Sequence, residues 1–386
     1  MATPSPEFHD QPTVKPPPGG HGTMKLPVPP PPPRGLFGRF RAWARRHHKA
    51  LWWLHSFYAL CLGMMVIFFA SKGFDHARVL AATLGGAFLV MVVLFRVFGQ
   101  GQQQKDRVAE KKHLKISFLG MTYILKNLYQ GMLFFVLPFY WKSSSLDSIN
   151  AWFVFLLGFL ALLSTLDLVF DNLLMRYRVV AAIFYAVTLF AAMNLIIPAF
   201  FTNVPTIVAL LSSTALSVFG FWVLNFPLRT LREKRTWAIL GSVAAVAVVA
   251  VFIARFAIPP VPLYLQHQAV GLAPIEDPED WRLELEVTRV HKKRLEDLYA
   301  ISDVVMPGGE GDTFRHVWRH KKGDVAFISE LAATRVPKKG DEHTVRVRSK
   351  LPKEEIESAD PVGDWVVDII TTDDQIVGRM RFTVIE

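Results

Sequence analysis

A chain of 386 residues, 51% of them apolar, with a formal charge of +10 is basic enough to suggest a nucleic-acid partner, but the charge lies in the wrong place for one. Residues 1–257 carry 25 Lys and Arg against 9 Asp and Glu, whereas residues 258–386 carry 18 against 24; the part able to fold in water is acidic, and the excess cations sit between apolar runs, where membrane topology accounts for them. The single cysteine, Cys61, excludes an internal disulfide and a cysteine metal cluster.

The first 33 residues contain 12 prolines. That composition buries no core and favours extended polyproline or disorder, so residues 1–33 are expected to be a disordered, Pro-rich tail. In residues 34–49, Leu36, Phe37, Phe40, Trp43 and Ala44 recur at helical spacing with arginines between them. This is the pattern of a basic amphipathic helix lying on an anionic leaflet. Apolar runs then fill residues 50–257, at 50–71, 79–95, 116–141, 149–166, 179–228 and 237–254. The run 179–228 is 50 residues without a charge, about 75 Å of helix, or two crossings of a ~30 Å core joined by a turn bounded by Pro198 and Pro205. Seven spans are expected. No small-x-small site follows the run 50–71, which is expected to be a start-transfer anchor rather than a cleaved signal.

With the N-terminus in the cytoplasm, the inner segments hold 18 Lys and Arg and the short outer loops hold three, Lys72, Arg78 and Lys142. The bias alternates at every loop and places everything after Arg255 outside. In "RFAIPPVPLYL", Arg255 to Leu265, the prolines are expected to end the last helix and start a stiff stalk leading outward.

Residues 258–386 suffice for one compact domain. Trp281, Leu283, Leu285 and Val287 alternate with Arg282, Glu284 and Glu286. Residues 314–329 read as strand, turn, strand with "KKGD" as the turn, residues 343–349 alternate again, and residues 363–386 form a closing hairpin. Closely spaced strands of this kind predict an all-β, sandwich-like domain. Only His291 to Ala300 reads as helical.

Three stretches carry a resemblance: Pro259, Pro260, Val261, Pro262 and Leu263; His316 and Trp318; and Gly363 and Trp365 followed by Gly378, Phe382 and Val384. They are similar to the motifs of a bacterial domain-of-unknown-function family, over roughly the last third of the chain. The resemblance implies a β-domain following a multi-span membrane region in a bacterial envelope, and no activity. Where the family shows an Asp-Gly turn, this chain has "TTDDQ", Thr371 to Gln375.

Candidate functional residues are few. His316, Trp318 and His320 share one face of a strand, but the two histidines are about 13 Å apart at 3.3 Å per residue, too far to bind one metal. Two readings stand. In one, Trp318 and Trp365 are core and the histidines edge the sheet; in the other, the four form an aromatic face for a glycan or peptide. Lys126 lies about 15 Å up the third span, with Asp167 and Asp171 near the inner end of the fourth. An ion pair between adjacent helices fits that geometry, and Asn127, Tyr129, Gln130 and Asn194 add a polar interior. No HExxH, Walker A loop or Gly-x-Ser-x-Gly elbow occurs. No catalytic residue, metal ligand set or cofactor is expected.

The expectation is therefore a bundle of about seven helices in a bacterial inner membrane, presenting a periplasmic β-sandwich for binding or envelope interaction. Its partners would be membrane lipids and an envelope protein or glycan, not nucleic acid. The alternatives are a transporter or channel using Lys126 and Asp167, and an enzyme acting on lipid-linked substrates. If Lys126 and Asp167 are paired, Lys126→Met or Asp167→Asn alone should lower folded yield, because each charge alone costs about 3 kcal/mol on insertion scales. The double variant should recover it, and strictly additive losses in the cycle would separate the two residues.

Overall fold

The computed structural model describes residues 130–166, 178–201, 203–225, 228–274, 283–307, 312–320, 324–329, 333–336, 342–352 and 361–386, with isolated helical positions between 57 and 86. The Pro-rich tail, the amphipathic segment 34–49 and the residues Lys126, Asn127, Asp167 and Asp171 lie outside that set.

The helical part comprises residues 130–142 (α1), Ala151–Thr165 (α2), Arg178–Phe200 (α3), Thr206–Asn225 (α4) and Lys234–Ile253 (α5). Ile183–Phe200, Thr206–Val223 and Lys234–Ile253 are long and apolar enough to cross a membrane, while α2 is a shorter apolar helix. Among the described residues there are thus three such helices, not the seven expected from the whole chain. Helix α3 also runs through Pro198 rather than stopping there. Proline removes one N–H from the ladder, which resumes with Phe201 N–H donating to the Ile197 carbonyl at 2.8 Å. The turn into α4 is correspondingly shorter.

These helices are compatible with hydrocarbon for two reasons. Their hydroxyls donate to their own backbone, as Ser164 does to Ala161, Thr188 to Phe184 and Ser213 to Ala209, at 2.6, 2.8 and 2.6 Å. Their outward faces are apolar: Trp152, Phe155 and Phe159 of α2 are 74%, 54% and 57% exposed, and Val246 and Ile253 of α5 are 71% and 63% exposed. A continuous patch of that kind is a liability in water and ordinary against lipid. Inside, Leu133 and Tyr140 of α1, Leu157 of α2 and Ala191 and Leu195 of α3 form one core.

The C-terminal part is all-β, in two five-stranded sheets. The strands are Tyr264–Pro274 (β1), Leu283–Glu286 (β2), Arg289–His291 (β3), Leu298–Pro307 (β4), Phe314–His320 (β5), Asp324–Ile328 (β6), Ala333–Val336 (β7), Glu342–Lys350 (β8), Gly363–Thr371 (β9) and Ile376–Ile385 (β10). One sheet runs β2-β1-β4-β8-β7, the other β3-β10-β9-β5-β6. Alternation directs Val270, Leu298 and Ala300 from the first sheet and Trp318, Trp365, Val367 and Phe382 from the second into one shared core. The segment expected to be helical, His291 to Ala300, is a short 3-10 helix, Lys292–Asp297, that gives way to β4. Leu295 plugs the core there, and the alternating residues that follow favour the sheet. Gly378 lies close under β1: a Cβ on it would overlap the end of the Leu265 side chain, which would have to shift.

The exit segment is not a stalk. After α5 and a 3-10 turn, Arg255–Ala257, residues 258–263 are all buried. Ile258 packs with Phe190, Ile207 and Leu210 of the helices, and Val261 sits in the core of α1, α2 and α3. Leu263 enters the sandwich with Val304, Val345 and Ile369. The Val261–Pro262 bond is cis. Prolines stop the helix as the sequence suggests, but apolar residues between them are drawn into two cores instead of projecting into solvent.

Polar contacts reinforce the junction. Asn150 Nδ2 donates to the Ile376 carbonyl at 2.8 Å. Arg255 Nε donates to the Asp373 carbonyl at 2.7 Å. Asp312 accepts from the Thr206 N–H, at 3.1 Å to its nearer oxygen, at the first turn of α4, a cap supplied from the sandwich. Val261→Ala should therefore cost about 2 kcal/mol in lost transfer and cavity terms, read as a lower melting temperature of the full chain in detergent. The same change at exposed Val246 should be nearly silent.

Candidate functional site

Sheet faces that meet solvent usually alternate to polar. The outer face of β5, β9 and β10 does so only in part. Val317, Ile370 and Ile376 form a buried apolar strip on it, because the loop after α1 and the turn after α5 cover this face. Between them lies a cleft of about 510 Å³, walled by Ile149 and Phe256 from the helical side. That volume is within the ~300–1,000 Å³ range of small-ligand sites.

Two clusters of charge border the strip. Asp368, 1% exposed, holds two guanidiniums: Arg379 at 2.6 Å (Nε–Oδ1) and Arg319 at 3.1 Å (Nε–Oδ2). The register explains this, since Arg379 lies directly across from Asp368 on β10 and Val317 across from it on β5. At the other end, Asp374 pairs with Arg315 at 3.1 Å and with Arg255 at 3.2 Å. Asp374 stands in the β9–β10 turn with φ 63°, the left-handed position that the "TTDDQ" departure puts in question; Asp tolerates it, and its side chain is then free to reach both arginines. Arg379 and Arg381 also donate to the Asp147 carbonyl, at 3.2 and 3.0 Å, in the loop between α1 and α2.

The residues singled out from the sequence fall elsewhere. His316, Trp318, His320 and Trp365 point inward. Trp318 and Trp365 are buried in the inter-sheet core, and His320 stacks on Trp365 at 4.4 Å. His316 does not edge the sheet. It is fully buried between the sheets, bonded to Ser302 Oγ at 3.0 Å and Ser349 Oγ at 2.8 Å, and Trp318 Nε1 donates to the same Ser349 oxygen at 2.9 Å. Partners supplied by β4 and β8 let a polar ring sit in the core, and no open aromatic face is formed by these four. Gln130 is buried in α1, and Asn194 donates to the Tyr140 hydroxyl at 3.1 Å within the bundle. Among the described residues no group of three His, Cys, Asp or Glu is placed to hold a metal ion.

Arg315, Asp368, Asp374 and Arg379 were not candidates from sequence. A partial signal existed: in "WVVDIIT" alternation places Ile370 on the same face as Asp368, where a solvent-facing strand calls for a polar residue, whereas Ile376 reaches that face only through the register irregularity between Ile376 and Gly378.

A family model described as a family of unknown function (DUF5924) matches residues 36–300. The match takes in the helical part, the buried segment from Pro259 to Leu263 and the first sandwich strands. It is not confined to the last third, and it ends before His316, Trp318 and Gly378. No curated protein matches the chain.

Two buried groups give opposite pH dependences. Burial pushes His316 down from 6.5 to about 3. The unfolded chain takes up this proton below about pH 6.5 and the fold does not, so stability is complete above 6.5 and is lost as pH falls toward 3. Burial pushes Asp312 up from 3.8 to about 6, against the lowering effect of its Thr206 bonds and with Asp373 adding to the rise. Its charged form is disfavoured in the fold, so acidification through pH 6 relieves a cost. Lowering the pH from 7 to 5 should remove on the order of 2 kcal/mol through His316, offset in part by Asp312. Melting curves of His316→Gln beside the wild type should show a less stable protein at pH 7 that loses less between pH 7 and 5. Equal slopes would rule out His316 as the titrating group.

Proposed function

We propose, starting from the fact that the chain belongs to the family of unknown function DUF5924, that it is a seven-span protein of the bacterial inner membrane. In this reading it holds a periplasmic β-sandwich against the outer ends of its helices and binds an envelope ligand or partner in the cleft at that junction. The observation that carries the reading is the cleft itself: three arginines, two carboxylates and an apolar floor, framed by helix ends on one side and a sheet on the other. A sandwich serving only as an exposed head would not need an apolar outer face.

The sidedness rests on charge. The loop residues 143–150 and 203–205, which lie at the sandwich end, carry no Lys or Arg, whereas Arg232, Lys234 and Arg235 are exposed at the start of α5, the end away from the sandwich. That asymmetry, within the 18-to-3 bias of the whole chain, favours the sandwich outside. The exposed Trp141 and Lys142 at the end of α1 suit a membrane–water boundary at the level of the junction. The transport alternative depends on Lys126 and Asp167, outside the described residues.

Alkaline phosphatase fused after Glu386 should be active and fused within residues 100–115 inactive, since the enzyme matures only outside the cytoplasm. The reverse pattern would overturn the reading.

A further inference from the structure

We infer that the junction cleft takes an uncharged hydrocarbon chain, the acyl chain of a lipid drawn from the adjoining membrane leaflet. The inference rests on the reading above that the cleft binds a ligand at the membrane surface, and it names the class of that ligand.

Charge is the first reason, because it cancels. Asp368 holds Arg319 and Arg379, Asp374 holds Arg255 and Arg315, and Asp147 stands 3.8 Å from Arg381. Asp373 accepts from Arg255 Nε on its carbonyl and adds a carboxylate of its own, and Asp312 lies near enough to feel that charge. Among the described residues, five arginines thus meet five aspartates at the junction, and Arg319 is engaged beyond Asp368 as well. The N–H of Arg315 that lacks a partner, Nε, is sealed from solvent. An ion entering the cleft would have to break existing pairs to find a partner; an uncharged chain breaks none.

The second reason is what the cleft leaves accessible. Ile149 from the α1–α2 loop, Phe256 from the turn after α5 and Ile328 from edge strand β6 are 46%, 42% and 47% exposed. All three line the same cleft of about 510 Å³, over the floor of Val317, Ile370 and Ile376. Three separate elements therefore turn large apolar side chains towards one concavity, which favours an apolar occupant over water.

The third reason is the source of the chain. Phe252 and Ile253, 44% and 63% exposed, close α5. Phe256 follows them at the four- and three-residue spacing that puts side chains on one side of a helix. The outer surface of the last helix thus runs into the wall of the cleft. Arg255, which lies over the Phe252 ring at 4.5 Å and reaches Asp374, frames the entry. A chain following this surface leaves the leaflet at the helix ends and comes to lie on the apolar floor.

The test places the full chain in phosphatidylcholine nanodiscs with a trace of phosphatidylcholine carrying a diazirine midway along one acyl chain, and labelled residues are identified by mass spectrometry. Labelling is expected at Ile149, Phe256 and Ile328 besides the membrane belt on α2 and α5, and the ratio of cleft to belt labelling is the readout. Ile328→Asp puts a charge at the mouth of the cleft, at an exposed edge-strand position where the fold should survive. It should cut the ratio about tenfold, since an unpaired charge opposes an apolar ligand. Ile149→Ser should lower the ratio about threefold through lost apolar contact, and it serves if the first variant melts early. Phosphatidylglycerol with the same photoreactive chain should give the same ratio. Labelling confined to the belt, or an undiminished ratio in either folded variant, would overturn the site. A ratio that follows headgroup charge would overturn the chain in favour of the head. Benzoylphenylalanine in place of Ile328, irradiated in intact membranes, should capture lipid; a polypeptide crosslinked there would overturn the lipid and leave the cleft as a protein-binding site. None of these readouts depends on which side of the membrane the cleft faces, so a reversed fusion pattern would remove the functional reading separately.

Discussion

Six consecutive residues, Ile258 to Leu263, are buried, and they belong to two cores at once. Ile258 and Val261 complete the packing of the helices, and Leu263, two residues on, completes the packing of the sandwich. Apolar side chains in so short a segment cannot be withdrawn from one side without exposing the other. The sandwich is accordingly held at the helix ends, in a fixed orientation, by the hydrophobic effect acting through the chain connection itself.

That constraint explains features that look unrelated in sequence. A sheet pinned face-down must cover its outer face, and Val317, Ile370 and Ile376 make that face apolar. Loops of the helical part must then find polar partners on the sandwich, which they do at Asn150, Thr206 and Arg255. The arginines on the rim, Arg255, Arg315, Arg319, Arg379 and Arg381, find carboxylates at Asp374, Asp368 and Asp147, close to where the helices end. Individually such pairs are worth little at an exposed site; the pairs on nearly inaccessible Asp368 are different, because removing either partner leaves charge stranded.

The interior of the sandwich follows a separate logic. His316 accepts the cost of placing an imidazole between sheets because two serines on β4 and β8 meet both its nitrogens. Its ring is thereby a neutral packing element, and its titration is expressed as fold stability rather than as chemistry.

Much of the architecture was legible in the chain. Uncharged runs of about 20 residues mark α3, α4 and α5, each long and apolar enough to cross a membrane. Period-two alternation marks β5, β8, β9 and β10, and Trp318 and Trp365 read correctly as core under one of the two readings open to them. These are local properties, dictated by side-chain transfer energies along a helix or strand. What only the tertiary structure decided is which surfaces meet. That Ile258 to Leu263 is an insertion and not a stalk depends on Phe190, Ile207 and Leu133, distant in sequence. That His316 is buried with partners depends on Ser302 and Ser349, on the opposing sheet. That Arg315, Arg319 and Arg379 form clusters with Asp374 and Asp368 depends on strand register and on the turn geometry of Asp374. Apolar patterning states that a face must be covered; it does not state by what, because hydrophobic burial is non-directional and only the assembled chain selects the partner.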